Sequence, residues 1–191
     1  MSFHRFPIAL ALSLAAGSAM AHSGHGEQSF FAGFAHPLGG ADHLLAMLAV
    51  GLLAARQTGA LRWALPASFV VAMVGGALLA AAGVGLPQVE AGVAASVLVF
   101  GVLIACFGKL PARAAVPLVA VFALFHGHAH HAEMGQGSLL TYAAGFTMAS
   151  VALHAAGFLL ARWMPQSRVA LGLQRVLGGL IAGAGLVLLG S

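Results

Sequence analysis

From residue 30 onward, the apolar residues form six long runs separated by short polar breaks. The runs are Phe30–Ala55, Trp63–Gly83, Val89–Phe107, Ala114–His131, Leu139–Trp163 and Ala170–Gly190. About 20 apolar residues are needed for a helix to span a bilayer. The breaks contain the turn-forming sequences GVGLPQ, GKLPAR, MGQGS and MPQSR. The pattern predicts an all-α fold, a polytopic membrane bundle of six transmembrane helices.

The segment before the first run has the pattern of a cleavable signal peptide. His4 and Arg5 provide a positive start, Ile8–Ala16 is apolar, and Ala19 and Ala21 flank a small-x-small cleavage site. We therefore predict a signal peptide at residues 1–21, a short histidine-containing tail at residues 22–29 outside the membrane, and a six-helix domain at residues 30–191.

Composition supports a membrane protein. The chain is 61% hydrophobic and 6% charged, whereas soluble domains carry about 25% charged residues. Basic residues outnumber acidic ones by 8 to 4, but they form no cluster or stripe that would bind nucleic acid. The single cysteine, Cys106, excludes an intramolecular disulfide. Gly179 and Gly183 form a small-xxx-small pair that predicts helix packing.

The distribution of basic residues predicts the orientation of the bundle. They follow the first, third and fifth runs: Arg56, Arg62, Lys109, Arg113, Arg162 and Arg168. Arginine and lysine are retained on the cytoplasmic side of a membrane. We therefore predict a multi-pass protein of the cell inner membrane with both mature termini in the periplasm.

The four acidic residues show the opposite asymmetry. Glu27, Asp42, Glu90 and Glu133 all fall in or near the predicted outer half of the protein. Carboxylates there would attract cations to an outward-facing vestibule. Glu90, at the start of the third helix, is either a ligand in this vestibule or a solvated carboxylate at a favourable helix N-terminus.

The first run contains the polar stretch FAHPLGGADHLLAM, residues 34–47. Ionisable residues are costly in the hydrocarbon core and are rare there without a function. His36 and His43 share one helical face about 10.5 Å apart, and Asp42 points roughly a third of a turn away. Pro37 and the pair Gly39–Gly40 weaken the helix between them, as in the broken helices of transporters.

The fourth run contains a companion stretch, FHGHAHHAEM, residues 125–134. His126, His130 and Glu133 follow i, i+4, i+7 spacing and form one stripe. Helix rise places both His43 and His126 roughly 20 Å from the predicted cytoplasmic ends of their helices, at similar depth in the membrane. The two stretches can therefore meet. Their similarity, on helices of opposite direction, is compatible with a 3+3 inverted repeat.

Two separate clusters of imidazole and carboxylate indicate a metal site more strongly than a set of hydrogen-bonded core histidines. These ligand types suit nickel, zinc, copper and iron, and affinity order alone does not select among them. His154, on the fifth helix, either marks an exit path or forms a hydrogen bond between helices. The tail HSGHGEQ either captures metal weakly or is a flexible polar segment.

At these residues the chain resembles the HupE/UreJ family of nickel permeases, which are hydrogenase and urease accessory membrane proteins. The motifs are HPLGGADHLLAM, FHGHAHHAEM and LHAAG (Leu153–Gly157). The resemblance implies import of Ni2+, or of Co2+ as in other members, with no prosthetic group. It also implies delivery to metallochaperones of hydrogenase or urease maturation. His131 stands where the family often has glycine.

The sequence favours a secondary transporter over an enzyme. It contains no phosphate-binding P-loop, so ATP hydrolysis by this chain is unsupported. The alternative of a different class is an intramembrane metal-dependent hydrolase, because two histidines and a carboxylate can hold a metal that activates water. The sequence offers no evident proton donor or oxyanion site for such a reaction.

Overall fold

Helices are the only regular secondary structure in the described part of the chain. The computed structural model describes residues 30–107, 110–133, 138–164 and 167–191, except the side chains of Ala132, Glu133 and Leu139. The predicted signal peptide at residues 1–21 and the tail at residues 22–29 lie outside these ranges. Within them the helices are α1 (Phe30–Gly39), α2 (Ala41–Ala55), α3 (Leu61–Ala81), α4 (Val89–Ala105), α5 (Ala112–Glu133), α6 (Leu139–Trp163) and α7 (Arg168–Leu189). The all-α prediction is confirmed for these residues.

The first predicted run is broken into two helices. The axes of α1 and α2 meet at an angle of 86°. Gly40 lies between them with extended backbone, φ −100° and ψ 124°, and its carbonyl accepts the hydrogen bond from Leu44 N–H that begins α2. The predicted weakness between the two histidines is confirmed, and the first run consists of two helices rather than one continuous helix.

Four helices are long and apolar enough to cross a membrane: α3, α5, α6 and α7. The bent pair α1 and α2 would make a fifth span if the two helices count as one. Helix α4 has 17 residues, about 25 Å at 1.5 Å per residue, which is slightly less than the ~30 Å hydrocarbon core. Length and composition therefore support four to five of the six predicted spans among the described residues. The span at α4 stays a prediction.

Glycines allow the main helix pairs to approach closely. Helix α3 packs on α5, α4 on α7, and α6 on both α1 and α2. A Cβ atom at Gly76 would overlap the backbone of α5, and one at Gly127 would overlap the backbone of α3. Gly51 and Gly157 form the same reciprocal contact between α2 and α6. Small residues are what membrane helices use for such contacts.

Helix α7 uses different glycines from those predicted. Gly179 and Gly183 have open space around them within the described chain. Gly178 and Gly185 instead meet the backbone of α4. The predicted packing pair is wrong because the face of α7 that contacts the bundle is rotated from the face that carries Gly179 and Gly183.

The helix pairing agrees with the symmetry that the sequence suggested. A 3+3 repeat would exchange the first run with the fourth, the second with the fifth and the third with the sixth. That exchange converts the α3–α5 pair into the α6–α1/α2 pair and leaves the α4–α7 pair unchanged. The observed pairs are those that such a repeat would produce, and the repeat itself stays a prediction.

The two ends of the bundle differ in charge. At one end, the last residues of α2, α4 and α6 meet the first residues of α3, α5 and α7, as two cavities show by their linings. This end, which carries Arg56, Arg62, Arg113, Arg162, Arg168 and Arg175, is called the arginine end below. Asp42 and Glu90 lie in the first turns of α2 and α4, in the opposite half.

Candidate metal-binding site

Four imidazole rings gather in the half of the bundle opposite the arginine end. The ring centroid of His43 lies 4.8 Å from that of His126 and 4.2 Å from that of His130. His36 lies 4.8 Å from His130. The two polar stretches therefore meet inside the bundle, as their matched depth predicted. These four residues are called the histidine cluster.

The bend at Gly40 changes the spacing of the first two histidines. On a continuous helix, residues seven apart are separated by about 10.5 Å along the axis. The ring centroids of His36 and His43 are only 6.1 Å apart, because the 86° bend brings α1 back toward the start of α2. The predicted spacing is wrong for this reason, and the break brings both rings to one site.

Asp42 fixes the orientation of the His43 ring. Its Oδ1 accepts a hydrogen bond from the backbone N–H of His43 at 2.7 Å and lies 2.8 Å from Nδ1 of the same residue. A carboxylate in this position favours the tautomer with the proton on Nδ1. Nε2 of His43 then carries the lone pair, and this buried atom has no hydrogen-bond partner in the described chain.

Ser96 fixes the His126 ring in the opposite sense. The Ser96 hydroxyl donates to the carbonyl of Val93 at 2.6 Å, and its oxygen lies 2.8 Å from Nε2 of His126. Because the single hydroxyl proton is used by Val93, the oxygen accepts from Nε2–H. The lone pair of His126 is then on Nδ1, which is buried and has no partner in the part of the chain described.

Ser96 is not among the site residues predicted from the sequence. Its only signal was a hydroxyl within the apolar run of α4, and such residues commonly hydrogen-bond between membrane helices without any further role. The side chain is fully buried, as is that of His126. The contact with His126 depends on how α4 and α5 pack, and this is not readable from the pattern of either helix alone.

Helix α6 covers the other side of the histidine cluster with aromatic rings. The ring centroid of Phe146 lies 3.6 Å from that of His130. The ring of Tyr142 lies 6.0 Å from that of His36. Both aromatic side chains are buried, so they separate the cluster from lipid on this side.

His154 is buried but stands apart from the histidine cluster. The ring of Phe69 contacts both, with its centroid 5.4 Å from that of His126 and 5.1 Å from that of His154. Phe69 is fully buried. Neither ring nitrogen of His154 has a hydrogen-bond partner in the described chain, so the structure does not show the interhelical hydrogen bond that was one interpretation of this residue.

A cavity of about 610 Å³ leads from His154 toward the arginine end. It lies between α3 and α6, with Arg62 and Trp63 at the arginine end, Val71 and Val151 at the other, and His154 in its wall. The remaining residues of its lining are apolar.

The two glutamates predicted as metal ligands, Glu90 and Glu133, lie at the ends of helices. Glu90 is exposed in the first turn of α4, and no hydrogen bond or ion pair between described residues joins it to the histidine cluster. Glu133 is the last residue of α5, three positions beyond His130, and its side chain lies outside the described part of the structure.

The histidine cluster is not a closed metal cage. Among the described residues, no three histidine, cysteine, aspartate or glutamate side chains are positioned to hold a metal ion. Nitrogen ligands must converge on a metal at about 2.0–2.1 Å. The rings of His36 and His130 meet at 77° and those of His43 and His126 at 89°. The described histidines therefore supply nitrogen donors close to one another without three ligands already placed around one ion.

Comparison with known proteins gives one family. The family model described as "HupE / UreJ protein" matches residues 10–188. The chain is 40% identical over 192 residues to Protein HupE of Rhizobium leguminosarum bv. viciae, covering 99% of this chain and 99% of that protein. No solved structure matches the chain.

Proposed function

This chain belongs to the HupE/UreJ family, and on that premise we propose that it is a secondary importer of a divalent transition metal. The cargo we propose is Ni2+, with Co2+ as the alternative, carried across the cell inner membrane for hydrogenase or urease maturation. The metal is a transported substrate rather than a resident cofactor. Metallochaperones of those maturation systems would receive it.

One observation carries this proposal: two neighbouring buried imidazoles each keep one ring nitrogen without a partner in the described chain, and one of them lies beside a carboxylate. His43 and His126 each have one ring nitrogen bound to a neighbour and one buried nitrogen without a partner in the described chain. A neutral imidazole nitrogen is the commonest protein ligand for transition metals, and a hydrogen bond to the other nitrogen raises its basicity. Buried polar atoms left unpaired are otherwise costly.

Among the described side chains, no three ligands are already placed around a metal ion, which supports transport rather than storage. A transport site must bind its ion well enough to admit it and weakly enough to release it. Ligands that must rearrange before they coordinate would lower the affinity, because part of the binding free energy is used for the rearrangement. A structural site with ligands already in place would retain the metal instead.

We propose three steps for the path. The metal is first captured near the outer surface by Glu133, His130 and His36. It then passes to Asp42, His43 and His126. It leaves toward the arginine end past His154 and the Phe69 ring, which contacts both His126 and His154. Glu90, exposed at the same outer half, would help to attract the cation.

The membrane potential can supply the driving force. Moving a dication inward across 100 mV releases about 4.6 kcal/mol, twice the value for a single charge. The import therefore needs no ATP. Protons displaced from the histidines by the metal offer a second source of coupling.

The alternative of an intramembrane metal-dependent hydrolase is less well supported. Water activation needs an open coordination position and a nearby proton donor. The rings of Phe69 and Phe146 instead pack against the histidine cluster. A substrate larger than a metal ion would have to displace these buried side chains.

The decisive experiment is uptake of radioactive nickel at nanomolar concentration by cells that lack their own nickel importer. Wild type, His43→Ala and His128→Ala are compared at matched membrane levels, with Co2+ and Zn2+ as competitors. His128 serves as the control because its Nε2 lies 3.2 Å from the backbone N of Leu86, away from the cluster. Uptake lost only in His43→Ala supports the proposal. Correctly inserted wild type without uptake contradicts it, and metal-dependent hydrolysis would then identify the alternative.

A further inference from the structure

The arginine end contains a polar cavity of about 330 Å³ between the ends of α2 and α6 and the start of α7. Arg56, Phe107, Arg162 and Gln174 contribute its polar and aromatic lining. This cavity is called the arginine pocket. It is separate from the histidine cluster, since Arg56 lies 13 residues beyond His43 along α2, about 20 Å at 1.5 Å per residue.

Arg56 is held in the pocket by neutral groups alone. Its Nη1 donates to the carbonyl of Ile104 at 2.9 Å and its Nη2 donates to Oε1 of Gln174 at 3.0 Å. Its guanidinium stacks 4.2 Å from the ring centroid of Phe107. Partial burial lowers the pKa of Arg56 from its ordinary value. These contacts fix the guanidinium without neutralising its charge, and they use only two of its five N–H donors.

Two further arginines add to the positive charge. The guanidinium of Arg175 lies 5.0 Å from the same Phe107 ring, and Arg162 lines the pocket. The described carboxylate-bearing residues are in the first turns of α2 and α4 and at the last residue of α5, all remote from the arginine end. Three cations therefore meet without a carboxylate from the described part of the chain.

We propose that the arginine pocket binds a phosphate-bearing anion, the headgroup of an anionic membrane phospholipid. Guanidinium groups donate paired hydrogen bonds to phosphate oxygens, and the anion would supply the missing countercharge. Basic pockets between membrane helices at the cytoplasmic side are suited to such headgroups. Leu171 lines the pocket, and Leu171 and Val169 are exposed on α7 at 37% and 74%, which provides an apolar surface for acyl chains.

The test uses the full chain purified in a non-ionic detergent and stripped of lipid. Thermal unfolding and native mass spectrometry are measured with phosphatidylglycerol, phosphatidylethanolamine or inorganic phosphate. The variant is Arg162→Gln, which removes one exposed cation from the pocket. The matched control is Arg113→Gln, because Arg113 is also exposed at the arginine end but is not part of the pocket lining.

Phosphatidylglycerol is expected to raise the unfolding temperature of the wild type and of Arg113→Gln. Arg162→Gln should bind it about fivefold more weakly, the effect of one arginine near an anionic surface. Protection by inorganic phosphate with the same dependence on Arg162 would support a phosphate site supplied by a soluble anion. Three outcomes would overturn the proposal. The first is equal lipid binding by both variants and the wild type, and the second is protection by phosphatidylethanolamine equal to that by phosphatidylglycerol. The third is no binding of lipid or phosphate.

Discussion

The rings of His43 and His126 stand at 89° to each other with their centroids 4.8 Å apart, and they are held in opposite tautomers. Asp42 favours the proton on Nδ1 of His43, whereas Ser96 favours it on Nε2 of His126. The pair therefore offers one Nε2 and one Nδ1 lone pair. Asp42 anchors the His43 ring from within α2, and Ser96 anchors the His126 ring from the neighbouring helix α4. Both rings are therefore oriented without a metal.

Loss of the Ser96 hydroxyl should weaken metal binding. Ser96→Ala removes the acceptor for His126 Nε2–H, so the ring can change tautomer or rotate. Loss of such an outer partner typically costs 10- to 100-fold in metal affinity. The measurement is Ni2+ affinity of the purified protein by calorimetry. Ser68→Ala is the matched control, because Ser68 donates to the carbonyl of Leu65 at 2.8 Å, the same local bond without a histidine. Equal affinity in both variants would contradict the role of Ser96.

Removing the charge of Asp42 should abolish uptake. Asp42→Asn keeps the shape of the side chain, but the amide neither carries the negative charge nor raises the basicity of His43. We expect a loss of more than about tenfold in nickel uptake, with normal membrane insertion on an immunoblot of the membrane fraction. Normal uptake by Asp42→Asn would remove this carboxylate from the proposed path.

His154→Ala should slow transport without weakening binding. In the proposed path His154 comes after the site formed by Asp42, His43 and His126, and it contacts the Phe69 ring rather than the rings of the histidine cluster, so the metal-binding step does not require it. We expect a several-fold lower rate of uptake with unchanged Ni2+ affinity in detergent. If affinity fell as far as the rate, His154 would belong to the binding site rather than to the exit.

A methyl group at Gly127 should destabilise the bundle. The added Cβ would overlap the backbone of α3, and overpacking of a buried contact costs about 1–3 kcal/mol. Gly183→Ala is the control, since the space around Gly183 is open within the described residues. The unfolding temperature in detergent should be lowered for Gly127→Ala and nearly unchanged for Gly183→Ala. The reverse order would show that the α3–α5 contact is not as close as described.

Hydropathy was sufficient to predict the helical fold and most of the candidate spans, because apolar length is a local property of the chain. Counting residues along two helices also predicted that His43 and His126 would meet, since depth in a membrane is set by helix rise. Pro37 and the glycines indicated a weak point. The angle of the bend was not predictable, because Gly40 accepts many backbone conformations and packing selects one.

The roles of Ser96 and Phe69 depended on tertiary packing. A serine and a phenylalanine within apolar helices are common and carry no pattern of their own. Their importance comes from which helices are neighbours: α4 brings Ser96 to His126, and α3 brings Phe69 into contact with both His126 and His154. The choice among glycine faces on α7 failed for the same reason, since several faces of that helix carry small residues.

The pairing of helices also constrains how the protein is assembled during synthesis. Helix α3 leaves the ribosome before its partner α5, two helices separate α4 from its partner α7, and α1 and α2 are made well before their partner α6. None of these main pairs can form as a hairpin of consecutive spans. Early helices must therefore remain in the lipid with their glycine faces unpaired until the second half of the chain has been inserted. A truncated chain that ends after α4 would lack every one of these partners, so we expect quality-control proteases to remove it.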